Sequence, residues 1–172
     1  KYFYMSDVIT EVDRLLTLHL GNIKVGIAQR MAASGRMASG RSVASLEVDV
    51  KDSEGVLSGG KQWETMQRGR GSGKVPSNFR EIIKNWVRTK GINVKPRKGQ
   101  SQRQAIESFS YLVTRNIMQK GTKLYRDKGY NDIYDSLLEE ETKKLSAETS
   151  AVMEIEIDKI NDSYAYGDKD DK

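Results

Sequence analysis

The sequence predicts an α+β fold: a small antiparallel β-hairpin packed with an N-terminal amphipathic helix, two to three further helices and an extended acidic C-terminal helix. Two patterns predict it. Apolar residues recur at helical spacing in several separate stretches, and after the first of these the period changes to the alternation of a strand. The chain of 172 residues is 37% hydrophobic and 31% charged, which suits a folded body with a highly charged surface. Residues 1–130 are expected to form the compact α+β body and 131–172 an acidic helical extension ending in a polar tail.

From Asp7 to about Ala33, Val8, Val12, Leu15, Leu16, Ile23, Ile27 and Met31 return at three-, four- and seven-residue steps, so an amphipathic helix is expected, with Ser6 as its N-cap. Gly21 and Gly26 should weaken it, since glycine costs up to about 1 kcal/mol against alanine inside a helix. It should stop near Gly35, where a glycine-bounded connection runs to Ser42. Between Val43 and Val50 the residues Leu46, Val48 and Val50 alternate with Glu47 and Asp49, the mark of a strand wet on one side. A turn over Asp52–Gly55 then returns the chain through Val56 and Leu57 as a second strand. Gly59 to Gln67 fits either a short helix, on the spacing of Trp63 and Met66, or a third short strand.

Asn78 followed by Glu81 marks the start of the clearest helix, with Phe79, Ile82, Ile83, Trp86 and Val87 on one face and Gly91 as its stop. Ser101 and Gln104 form a second capping-box start, and Ile106, Phe109, Leu112, Val113 and Ile117 share a face until Gly121. A basic loop, Asn93 to Gly99, joins these two helices. A last helix is expected from Asn131 through Ile133, Leu137 and Leu138 to Ile160. Its middle, Glu139 to Glu148, has so little apolar surface that it should project from the body, and Tyr164 to Lys172 should form the tail. The sequence contains no internal repeat and no sustained heptad pattern.

The net charge of +5 conceals a strong asymmetry. From Gly60 to Arg103 there are twelve Lys/Arg against two carboxylates, whereas from Asn131 to Lys172 there are thirteen Asp/Glu against five lysines. The absence of cysteine removes disulfide, thiolate and cysteine-ligated zinc chemistry, and fits a bacterial cytoplasm. No apolar run is long enough for a membrane span, and the first residues lack a signal-peptide stretch.

The segment Arg68-Gly69-Arg70-Gly71-Ser72-Gly73-Lys74-Val75-Pro76 superficially matches a phosphate-binding loop. Such a loop needs glycine five positions before the Gly-Lys pair and a hydroxyl residue after it, where this chain has Arg68 and Val75. A flexible basic connection into the next helix is the better reading. The single His19 has no predicted carboxylate or nucleophile beside it, so it reads as a packing or surface residue. Glu139, Glu140 and Glu141 are consecutive and therefore about 100° apart on a helix, which reads as a solvated acidic face. The basic stretch could bind nucleic acid through phosphates, but Trp86 and Phe109 lie on apolar helix faces and read as core, leaving charge as the only support.

The order of these segments resembles the neck or tail-completion (head–tail joining) proteins of tailed bacteriophages. The residues that carry the resemblance are Ala33 to Arg41, Glu64 to Pro76, Phe79 to Ile92, and Tyr111 to Ile117 followed by Gly121-Thr122. It covers roughly residues 31 to 135 and hardly touches the acidic C-terminal region. It implies a structural virion protein without catalysis, cofactor or metal, forming a homo-oligomeric ring between portal or adaptor and tail proteins, assembled in the host bacterial cytoplasm and residing in the virion neck. A ring needs two different surfaces on one subunit. The candidates are the basic region around Arg68, Arg70, Lys74, Lys95, Arg97 and Lys98 and an acidic surface, either a neighbour's Glu139 to Glu156 helix, which begins with Glu139, Glu140 and Glu141, or another connector protein. The basic loops could equally contact DNA in the channel, non-specifically. A small nucleic-acid-binding protein using residues 60–103 is the alternative function.

Overall fold

The computed structural model describes residues 3 to 167, with side chains over 7 to 162. The elements in order are α1 (Phe3–Ala33), α2 (Arg41–Ala44), β1 (Glu47–Lys51), β2 (Glu54–Ser58), α3 (Gln62–Arg68), α4 (Phe79–Thr89), α5 (Gln102–Lys120), α6 (Lys123–Arg126) and α7 (Asp135–Gly167). The fold is the expected small α+β type, mostly helical, with one two-stranded antiparallel sheet and a long C-terminal helix. Among the described residues, no helix is long and apolar enough to cross a membrane.

The chain divides into two compact units that are interleaved in sequence: unit 1 holds residues 1–30, 43–59 and 133–172, and unit 2 holds 31–42 and 60–132. The C-terminal helix therefore belongs with the first helix and the hairpin.

In unit 1, α1 is already helical at Phe3, so Ser6 lies inside the helix and not at its cap. The helix also runs unbroken through Gly21 and Gly26. At Gly26 the missing side chain has a use: a Cβ there would stand 3.0 Å from both methyl carbons of Leu137, so glycine lets α7 come close. The packing gained there offsets the helix-propensity cost. Leu15, Ile23 and Ile27 are buried on α1 and Ile133 just before α7.

The strand begins at Glu47, later than Val43, because residues 41–44 form the short helix α2. Along β1 the residues Val48 and Val50 are half-buried and Glu47, Asp49 and Lys51 exposed, as the alternation requires. The pairing of Lys51 with Glu54 leaves Asp52-Ser53 as a two-residue turn, tighter than expected. Both turn residues have positive φ, 52° and 63°, which a type I′ hairpin demands. The Ser53 N–H donates to Asp13 Oδ1 on α1 at 2.8 Å, tying the turn to the helix.

α7 starts at Asp135, four residues later than expected, and continues to Gly167. Residues 164–167 of the expected tail are thus helical, and 168–172 lie outside the described residues.

Unit 2 resolves the ambiguous stretch as the helix α3, with Trp63 and Gln67 buried on one side. α4 starts at Phe79 as expected, but the Asn78 side chain makes no capping bond. It ends with Ile92 N–H to Val87 O and Gly91 N–H to Arg88 O, the two bonds of a Schellman motif. α5 has a complete capping box: Ser101 Oγ accepts from Gln104 N–H, and Gln104 Oε1 accepts from Ser101 N–H. α4 and α5 pack on each other.

Two expectations about their faces fail. Trp86 is 41% exposed and Leu112 54% exposed, so neither is core. The buried positions are Lys84 and Val87 on α4 and Ala105 and Ser110 on α5. Between the two helices, Arg80 and Lys84 each pair with Glu107, and Arg80 lies over the Tyr111 ring.

Candidate functional site

The two units carry opposite charge. Unit 2 contains 19 Lys/Arg and 5 Asp/Glu, a net +14, and the described residues of unit 1 contain 7 Lys/Arg and 16 Asp/Glu, a net −9. The asymmetry read along the sequence is therefore an asymmetry between folded bodies.

The basic loop of unit 2 is held by backbone interlock. Thr122 N–H donates to Arg70 O at 2.8 Å, and Arg70 N–H donates to Thr122 Oγ1 at 2.9 Å. Gly69 and Gly121 both have φ near 80° with ψ of −179°, a region open essentially to glycine alone. A Cβ at Gly121 would lie 2.6 Å from Arg70 O. Gly69 and Gly121 thus let this loop close onto the start of α6.

Within that frame the predicted cations separate. Arg70 is turned into its own loop: its guanidinium donates to Lys74 O and lies 5.9 Å over the Phe79 ring. Arg68 is exposed and lines an open cavity of about 640 Å³ with Tyr125, Arg126, Lys128 and Tyr130. The side chains of Lys74, Lys95, Arg97 and Lys98 are exposed.

A second cleft in unit 2, about 710 Å³, has Met66, Trp86, Ile92 and Leu124 as its apolar lining and Arg36 and Lys90 as its charged lining. Arg36 Nη2 donates to Asn131 Oδ1, and Lys90 Nζ donates to Gly35 O and Met37 O. Both cations therefore hold the wall of the cleft and are fixed in place. Elsewhere on α4, Lys84 is buried between Glu81 and Glu107, each carboxylate oxygen 2.5 Å from Nζ. The bond to Glu107, then that to Glu81, raises the Lys84 pKa, and Lys84 in turn lowers that of Glu107.

In unit 1 the three consecutive glutamates part company. Glu139 and Glu140 are exposed and bond Lys143 and Lys144 one turn on. Glu141 is not part of a solvated face: it is 7% exposed, with its Oε2 2.8 Å from His19 Nδ1 and accepting from Asn22 Nδ2 at 3.1 Å. Its Oε1 accepts from Lys144 Nζ at 2.8 Å. Lys144, then His19, holds the Glu141 carboxyl down at about 2 despite burial. A carboxylate only accepts, so Nδ1 of His19 carries the proton. His19 Nε2 has no hydrogen-bond partner and lies 3.4 Å from Glu148.

The expected projection of residues 139–148 is thus corrected: a buried polar cluster fixes this stretch to α1. Sequence reasoning missed it because His19 and Glu141 are 122 positions apart. The one available signal was His19 itself, on the apolar face of a helix between Leu15 and Ile23 and therefore in need of a partner.

Comparison with protein-family models, with curated proteins and with solved structures finds no match to this chain.

Proposed function

We propose that this chain is a structural subunit, not an enzyme, that assembles with its own copies into a ring at the head–tail junction of a tailed bacteriophage. The ring joins the portal-side connector to the tail, needs no cofactor, is built in the host cytoplasm and stays in the virion. The sequence resemblance supplies the family, and one structural observation supports the assembly: the separation of +14 and −9 net charge into two folded units. A closed ring repeats one contact between two different surfaces of the subunit. Opposite charge on those surfaces steers encounter and fixes orientation. Negative-stain imaging of the purified chain tests the reading: annular particles of one diameter are expected, and a field of particles of monomer size contradicts it.

A second reading, a nucleic-acid-binding protein, is favoured by the exposed aromatics of unit 2. Tyr125 and Tyr130 lie in the cavity with Arg68, Arg126 and Lys128, and Arg80 lies 5.7 Å over the exposed Tyr111 ring. Aromatic faces among cations can stack bases while the cations neutralise phosphates. Tight single-strand binding by the monomer, weakened by Tyr125→Ala, would favour this reading. DNA binding that falls with salt but ignores Tyr125→Ala would reflect charge alone.

A further inference from the structure

Two surfaces of the chain are apolar, exposed and framed by opposite charge. On α7, Met153, Ile157 and Ile160 follow at four- and three-residue steps and so share a helix face. They are 42%, 55% and 45% exposed. At 100° per residue this face stands about 120° around the helix from Glu141, which points to His19 on α1. Scattered single apolar residues on a surface need no explanation, whereas a methionine and two isoleucines on one helix face form a patch that marks an interaction site. Residues 150–162 carry Glu154, Glu156, Asp158 and Asp162 against Lys159 alone. In unit 2, the 710 Å³ cleft offers the complement: an apolar lining of Met66, Trp86, Ile92 and Leu124, with Arg36 and Lys90 and no carboxylate among its described lining residues.

Resting on the ring reading above, we infer that the Met153–Ile160 face of one copy docks in the Trp86 cleft of a second copy of this chain. The apolar side chains exclude water from the cleft and provide affinity. The net negative charge of this end of the helix, with Glu154 about 100° round from Met153 and Glu156 already paired with Lys159, is set against the cations of unit 2; it provides orientation and rejects the reversed contact. Each copy offers one cleft and one helix face, so the contact is heterologous and propagates from copy to copy.

The test uses two single variants of the full chain, Trp86→Asp in the cleft and Ile157→Asp on the helix, with far-UV circular dichroism to verify folding. By sedimentation velocity each variant alone should be monomeric, while an equimolar mixture should form dimers and nothing larger, because only one intact cleft meets one intact face. Assembly of either variant like the unaltered chain would overturn this interface and leave the ring reading standing. An unaltered chain that stays monomeric at every concentration would overturn both. A second measurement covers a Trp86→Asp chain that fails to fold. The sequence has no cysteine, so Trp86→Cys with Ile157→Cys can be oxidised without competing thiols. A covalent ladder of chains is expected; cross-linking within single chains, or none in assembled protein, would overturn the second copy as occupant.

Discussion

Unit 1 and unit 2 treat charge in opposite ways. In unit 1 the charged groups that matter to the fold are paired inside it: Glu141 collects Lys144, His19 and Asn22, and α7 is laced by pairs such as Glu139–Lys143. In unit 2 five carboxylates face nineteen cations, so most cations have no carboxylate to pair with. Those in place for structural reasons bond carbonyl oxygens instead, as Lys90, Arg70 and Arg126 do. The lesson is that unit 1's charge is partly spent on its own architecture, while unit 2's is available to a partner.

Breaking the unit 1 cluster should have the largest effect on stability. Glu141→Ala leaves His19 and Lys144 without their shared carboxylate, and removing one member of a buried pair should cost about 3 kcal/mol. Hydrogen exchange should show the loss in α1 and α7, and equal loss across unit 2 would refute separate stabilisation. The same cluster sets a pH response. Because the folded pKa of Glu141 is lowered to about 2 from 4.5, its contribution is present above about pH 4.5 and drains away as pH falls toward 2. An acid titration of stability should lose that acid-range step in Glu141→Gln.

In unit 2 the expected weak point is backbone geometry. Gly121→Ala must place a side chain against Arg70 O in a conformation nearly restricted to glycine, and should cost about 2 kcal/mol. Thermal melts of this variant compared with Gly35→Ala, where no atom lies within 4 Å of the added carbon, separate the clash from the positive φ both share. Ser101→Ala removes the capping box of α5 and should cost about 1 kcal/mol by denaturant titration. Smallest of all, Arg68→Glu should change stability by no more than about 0.5 kcal/mol, yet slow assembly. Unchanged assembly kinetics would remove Arg68 from the interface.

Much of the fold was legible locally. The alternation of Leu46, Val48 and Val50, the Ser101–Gln104 box and the stop at Gly121 each follow from neighbours a few residues away, and each is present in the structure. What could not be read was pairing over long separations. Periodicity places Trp86 on an apolar face, but α4 meets α5 through Arg80 and Lys84, and that tryptophan stays 41% exposed. Gly26 reads as a helix weakener until Leu137 arrives against it. Glu141 looks like its neighbours Glu139 and Glu140, because what distinguishes it is a histidine on another helix. The charge separation was visible along the sequence, and its meaning sharpened once the chain's interleaving assigned each segment to a unit.

The central claim is that the chain assembles with its own copies through a contact that the opposite charges of the two units steer and orient. The most direct measurement is the solution mass of the unaltered chain by sedimentation velocity at about 0.05 M and about 0.5 M salt, where the screening length contracts from roughly 14 to 4 Å. One large closed species is expected at low salt, giving way to smaller species as salt rises. A monomer under both conditions would contradict the claim.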